Sequence, residues 1–434
     1  MVMPIQIKFP DGFLWGTSTS AHQVEGNNRN NQWWKWEKET GLKESGIACD
    51  HYNRYGEDIE LMAELGYNAH RFSIEWSRIE PRKGQFDENE IEHYRDVVNY
   101  MKEKGIEPIP MLHHYTNPLW FMNEGGWIKE KNIDYFVEFV RKVAEEFEFD
   151  YWLTIDEPMV YAFGSCMRDT SPPPYMVGGG WPSREKSFKM VFKVASNLLQ
   201  AHAKSYETIH DHSKGKVSLA QDLNIIEPAS DSPLDRMSAE IMDYIGNGAW
   251  LQSLKEGRPV PPLNGDEFDE VIDFFGLNYF LGSVCRFEES YPTPPWYFFQ
   301  AKAKEGCETN SLGWWVYPEG IYKVIRRVHE TFGLPIMVAS NRIGTEDDLQ
   351  RRRFLVNHLK QIGRAIDDGA KVNGYMHWSF MDNFEWAMGF EPKFGLVEVD
   401  YSTQRRIPRE SARMYGEIAK RNGIDPQIEE KYLK

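Results

Sequence analysis

In chain order, one stretch reads DIELMAEL (58–65), AHRFS (69–73), IEHYRDVVNYMKEK (91–104) and EPIPMLH (107–113). The first and third segments space their apolar residues by three and four, as Ile59, Met62 and Leu65 do and as Ile91, Tyr94, Val98 and Met101 do, which is the mark of amphipathic helices. The second and fourth are short β-prone runs. Helix, strand, helix, strand in succession implies a parallel sheet. Working outward, β-prone runs recur at 13–16, 151–155, 217–220, 274–278, 336–339 and 374–379, and helical periodicity at 135–147, 188–209, 321–332 and 349–367. Eight strands therefore alternate with helices. No GxGxxG or GxxxxGK[ST] phosphate loop follows any of them, so the pattern predicts an α/β fold built as a single (β/α)8 TIM barrel over residues 1–434, not an open doubly wound sheet. The spacing is too irregular for a solenoid, and residues 171–182 and 291–295 read as surface loops.

Apolar residues make up 41% of the 434, and the mean hydropathy is −0.59, so the chain can bury a large core yet stay water-soluble, which excludes disordered and fibrous classes. Fifty Lys and Arg stand against 66 Asp and Glu, a net charge of −16 spread along the chain. A polyanion would be repelled, so nucleic acid is not an expected partner. No apolar run reaches the roughly 18 residues of a membrane span, and residues 1–10 lack the charged start and apolar stretch of a signal peptide. The expectation is no membrane association and a cytoplasmic location. Cys49, Cys166, Cys285 and Cys307 lie far apart without CxxC or Cys/His spacing, so they fit neither a disulfide framework nor a metal site, and most read as plain buried thiols. No cofactor is expected, and a homo-oligomer stays open.

In such a barrel, chemistry sits at the C-terminal ends of the strands. Those ends carry Arg71, His113 and His114, Asp156 and Glu157, Asn278 and Tyr279, Ser340 and Asn341, and Trp378, with Glu385 and Trp386 just beyond. The mixture suits a sugar: indole and phenol faces cover the apolar side of a pyranose, while carboxylates and amides take its hydroxyls. One tryptophan alone would be explained by core packing; several at strand ends are not.

Ordered motifs run through the chain: FLWGT (13–17), QVEG (23–26), RFSIEWSR (71–78), His114 four residues before Pro118, and Glu157-Pro158 after Thr154. Asn278-Tyr279, Gly313-Trp314, WSFMDNFEW (378–386) and KFGLV (393–397) follow. In these the whole chain resembles the family 1 glycoside hydrolases, the retaining β-glucosidases and their relatives, particularly the archaeal branch. The resemblance implies a two-carboxylate displacement, with carboxyls about 5–5.5 Å apart, one protonating the departing oxygen and one attacking the anomeric carbon. At matching positions it implies Glu157 as general acid/base, with a pKa raised by the nearby negative nucleophile. It implies Gln23, His114, Glu385 and Trp386 holding glycone hydroxyls, Trp378 stacking on the ring, and Arg71 and Tyr279 orienting the nucleophile. The implied partner is a small saccharide or aryl glycoside, β-linked to glucose, galactose or mannose.

The chain departs from that pattern in one region. The family's nucleophile lies in a Thr-Glu-Asn-Gly segment after the seventh strand, where this sequence has Ala339, Ser340, Asn341 and Arg342. The attacking carboxylate is absent, and a serine hydroxyl with no evident base is no substitute. Asp156 replaces the Asn before the acid/base; when ionised it only accepts hydrogen bonds, and its charge raises the pKa of Glu157. Arg342 replaces a glycine and is expected to pair with Asp156 or receive an anionic ligand group. His70 stands where an aromatic is usual, and 165–169 differs from the family's Gly-Tyr-Leu loop. An engineered replacement made to trap substrate or join sugars accounts for Ser340 but not for Asp156 or Arg342. Three readings stay open: a β-glycosidase scaffold, engineered or divergent, with hydrolysis crippled; a pocket rebuilt around Glu157 or Asp156 as general base with Arg342 or Ser340 in support; and a carbohydrate-binding protein without turnover. Dense charge at 37–44 and 347–353 fits the ion-pair networks of a thermostable protein, although solvated helix faces are the plainer account.

Overall fold

A computed structural model describes residues 7–182, 186–287 and 303–434. Eight parallel strands close into a barrel: β1 (Leu14–Ser18), β2 (Ala69–Ser73), β3 (Glu107–His113), β4 (Tyr151–Asp156), β5 (Lys216–Asp222), β6 (Phe275–Tyr279), β7 (Ile336–Arg342) and β8 (Val372–Trp378). Neighbours follow chain order from β1 round to β8, and β8 pairs back onto β1, with Gly374 opposite Leu14. The expected strands are all present: β2 and β3 match their runs, β4, β5 and β7 run longer, and β1, β6 and β8 are displaced by one or two residues. Residues 291–295 lie outside the described residues.

Side chains alternate across each strand. Ala69, Ile109, Met111, Leu153, Ala220, Met337, Ala339 and Met376 fill the inside of the barrel. Phe72, Leu112, Trp152, Leu219, Leu277, Val338 and Tyr375 face outward into the larger core shared with the helices. Gly276 is required by strand spacing: a Cβ there would stand 2.2 Å from the carbonyl oxygen of Leu219.

The helix layer consists mainly of α1 (His51–Leu65), α2 (Glu88–Glu103), α3 (Ile133–Glu146), α4 (Pro158–Met167), α5 (Phe188–His210), α6 (Pro233–Asp243), α7 (Ala249–Glu256), α8 (Pro318–Phe332), α9 (Asp348–Asp367) and α10 (Glu410–Arg421). Local chemistry sets their ends. Asp87 and Asp347 accept N-terminal amides of α2 and α9, and α1 stops at Gly66, whose φ of 97° lets its amide reach back to Met62 and Ala63. α3 buries Ile133, Phe136, Val137, Val140 and Val143, the face its periodicity predicted. The segment 165–169, read as part of a loop, instead begins inside α4. Pro158 opens that helix at its first turn, and Met159, Ala162, Phe163 and Cys166 bury one side of it.

Cys49 and Cys166 are buried, Cys285 and Cys307 only half-buried, and all four are free thiols. Among the described residues no helix is long and apolar enough to cross a membrane.

Candidate functional site

The C-terminal mouth of the barrel holds a cavity of about 410 Å³. Gln23, His114, Asp156, Glu157, Ser340, Arg342, Trp378, Glu385 and Trp386 line it, so most of the residues chosen from the sequence meet in one place.

Glu157 follows β4 directly and caps α4 with a left-handed φ of 42°. Its amide donates to the Ala220 carbonyl at 2.8 Å, which holds that turn against β5. One carboxylate oxygen accepts Nδ2–H of Asn278 at 2.8 Å and the other accepts the hydroxyl of Tyr115. Burial raises its pKa, and the charge of Asp156 raises it further, while Arg342 and its two hydrogen-bond donors pull the other way. Asp156 is gripped by Arg71, with Nη2 to Oδ1 at 2.5 Å, and receives Asn278 Nδ2–H at 3.1 Å, with His114 Nδ1 at 3.2 Å from its other oxygen. Arg71 has no exposed surface and also donates Nη1–H to the Ala339 carbonyl at 3.3 Å, so it ties the ends of β4 and β7 together. Burial pushes the His114 imidazole well below its usual range, leaving it neutral.

The opposite electrostatic knot is Arg342 with Glu385, 3.0 Å apart. The guanidinium lies over the rings of Phe280, Trp314 and Phe394, at 4.3, 5.3 and 5.0 Å from their centroids. Arg342 therefore pairs with Glu385 and not with Asp156, whose oxygens are already taken by Arg71, Asn278 and His114. Glu385 also receives Nε2–H of Gln23 at 3.1 Å. The ring of His114 stacks on Trp378 at 5.4 Å and on Trp386 at 6.3 Å, which builds a continuous aromatic wall.

Tyr279 is not brought into this group. Phe275, Leu277 and Tyr279 share the outward face of β6, so the Tyr279 hydroxyl donates to the Tyr317 carbonyl at 2.6 Å, and the inward positions belong to Asn278 and, just past the strand, Phe280. Period-two counting along β6 would have found Phe280. Tyr115, Trp33 and Arg168, which also line the cavity, were missed because they sit in loops or on helices outside any strand-end count. Burial lowers the Arg168 guanidinium to about 10. Asp222, at the end of β5 opposite Asn278, was missed too; burial and the nearby Glu157 hold its carboxyl well above the usual range. Among the described residues no cluster of three or more His, Cys, Asp and Glu side chains is arranged to hold a metal ion.

At the mouth of the closed α/β barrel, buried carboxylates thus stand beside an aromatic wall in which the His114 imidazole stacks on the indoles of Trp378 and Trp386. Residues 5–261 and 263–424 match the model of glycosyl hydrolase family 1, and the chain belongs to that family, whose relatives include β-glucosidases and β-galactosidases. A structure described as a beta-glycosidase from Pyrococcus horikoshii superposes with a TM-score of 0.89, at 40% identity and covering 99% of both chains. Beta-glucosidase A of Thermotoga maritima is 32% identical over 96% of this chain and 99% of its own, and the beta-galactosidase of Pyrococcus woesei is 27% identical over 98% of this chain and all of its own.

Proposed function

We propose that this protein binds the glycone of a β-linked saccharide or aryl glycoside and protonates its leaving oxygen from Glu157, but carries Ser340 where the attacking carboxylate of its family stands. Hydrolysis through a glycosyl-enzyme intermediate is then crippled by several orders of magnitude, because no covalent acceptor for the anomeric carbon is supplied. Gln23, His114, Glu385 and Trp386 hold the sugar hydroxyls, Trp378 lies along the ring, and Asp156, fixed by Arg71, receives a hydroxyl proton beside the reacting carbon. The observation that carries this reading is the state of Glu157: a buried carboxyl with a raised pKa, facing a sugar-sized cavity to whose wall Ser340 contributes only a hydroxyl.

The experiment is a repair. Ser340→Glu combined with Arg342→Gly is expected to raise hydrolysis of 4-nitrophenyl β-glucoside or β-galactoside by at least a thousandfold over the unmodified protein. No gain from a variant that folds and still binds glucose-like inhibitors would sink the proposed role of position 340. Binding of such inhibitors to the unmodified protein with no turnover of any activated donor would instead favour a carbohydrate-binding protein.

A further inference from the structure

Three buried donors on the wall made by β7 and β8 have no hydrogen-bond partner within the protein: Oγ of Ser340, Nε of Arg342 and Nε1 of Trp378. Ser340 is 1% exposed and Trp378 3%, yet all three residues line the cavity. They are also neighbours: Arg342 and Trp378 are paired across β7 and β8, and Ser340 lies two residues before Arg342. Cα atoms two residues apart on a strand are separated by about 6.5–7 Å, close enough for side-chain donors on both to converge on one tetrahedral oxyanion through hydrogen bonds of about 2.8 Å. Leaving such donors unpaired is costly, and a guanidinium clamped between three aromatic rings cannot swing away to find another partner.

We propose that the Ser340, Arg342 and Trp378 wall is a binding site for inorganic phosphate, which attacks the anomeric carbon in place of the missing carboxylate and makes the protein an inverting β-glycoside phosphorylase. The inference rests on Glu157 as proton donor, as argued above. In the step, a phosphate oxygen forms a bond to the anomeric carbon as the bond from that carbon to the aglycone oxygen breaks. Glu157 gives its proton to the leaving oxygen and recovers one from the hydrogen phosphate. A β-glycoside and hydrogen phosphate thus become an α-glycosyl phosphate and an alcohol, with no oxidant and no covalent enzyme intermediate. Burial also pushes Glu157 and Asp222 toward their neutral forms, which lessens the repulsion that an entering anion meets.

The test uses 4-nitrophenyl β-glucoside and β-galactoside with the full-length protein, in buffer containing phosphate, sulfate, formate or azide. Nitrophenol release is expected to rise at least tenfold and saturably with phosphate, with α-glycosyl phosphate appearing in the phosphorus and proton NMR spectra. Sulfate should compete with phosphate and give no product. Arg342→Gln should raise the half-saturating phosphate concentration at least tenfold, while Ser340→Ala should raise it less. A β-configured product, or phosphate dependence unchanged in Arg342→Gln, overturns the site. Turnover with azide or formate but none with phosphate also overturns it and leaves the role of Glu157 standing; no turnover with any anion, in protein that still binds glycoside, removes both.

Discussion

Glu157 occupies a left-handed backbone position that non-glycine residues seldom take, and its carboxyl is buried beside that of Asp156. Replacement by the isosteric amide should show what the proton is worth. Glu157→Gln is expected to lower turnover of weakly activated aryl glycosides by about 10²–10⁴, and of dinitrophenyl glycosides by less, because a good leaving group needs little protonation. The pH profile follows from the raised pKa. The donor is active while protonated, so the rate is level below the pKa of the folded protein and falls as pH rises through it. Asp156→Asn removes a like charge and should move that alkaline limb to lower pH; a limb that stays in place or moves upward would exclude Asp156 as a cause. Asp222 gives a matching stability test. A carboxyl whose folded pKa is raised binds its proton more tightly in the folded chain, so its contribution is present at low pH and lost as pH rises through the folded value. Asp222→Asn should therefore leave Tm near its original value at pH 4 and raise it at pH 8.

Strand β6 shows how much one element decides. Its period of two sends Leu277 and Tyr279 into the outer core and turns Asn278 toward the two carboxylates. Tyr279→Phe should leave inhibitor affinity unchanged while costing about 1–3 kcal/mol of stability, because the Tyr317 carbonyl loses its donor; a change in affinity would place Tyr279 back in the site. On the same strand, Gly276→Ala is expected to cost about 1–3 kcal/mol, since the new methyl meets the β5 backbone and cannot be accommodated by a side-chain shift. Chemical denaturation would read both.

For the molecule as a whole, the seam that matters joins β8 to β1, segments more than 350 residues apart in the chain. Tyr415 of α10 is its bolt: the hydroxyl lies 2.9 Å from the Gly16 carbonyl of β1 and 2.8 Å from the Tyr375 carbonyl of β8. Tyr415→Phe should lower stability by roughly 1–3 kcal/mol, seen as a lower urea midpoint with an unchanged m-value. An unaffected midpoint would mean that the seam is held by strand pairing alone. Strand and helix periodicity, the absence of phosphate loops and the order of the strand ends were legible along the chain because they depend on residues within a few positions of one another. That is why the barrel and the strand-end residues of the cavity, including the serine at 340, could be found from the letters, while Gln23 and Arg342 entered only through the family resemblance. Partnership was not legible in the same way. Whether Arg342 meets Asp156 or Glu385, which donor reaches Glu157, and where Tyr279 turns are settled by contacts between strands, loops and helices far apart in sequence, and only closure of the barrel brings those groups within hydrogen-bonding distance.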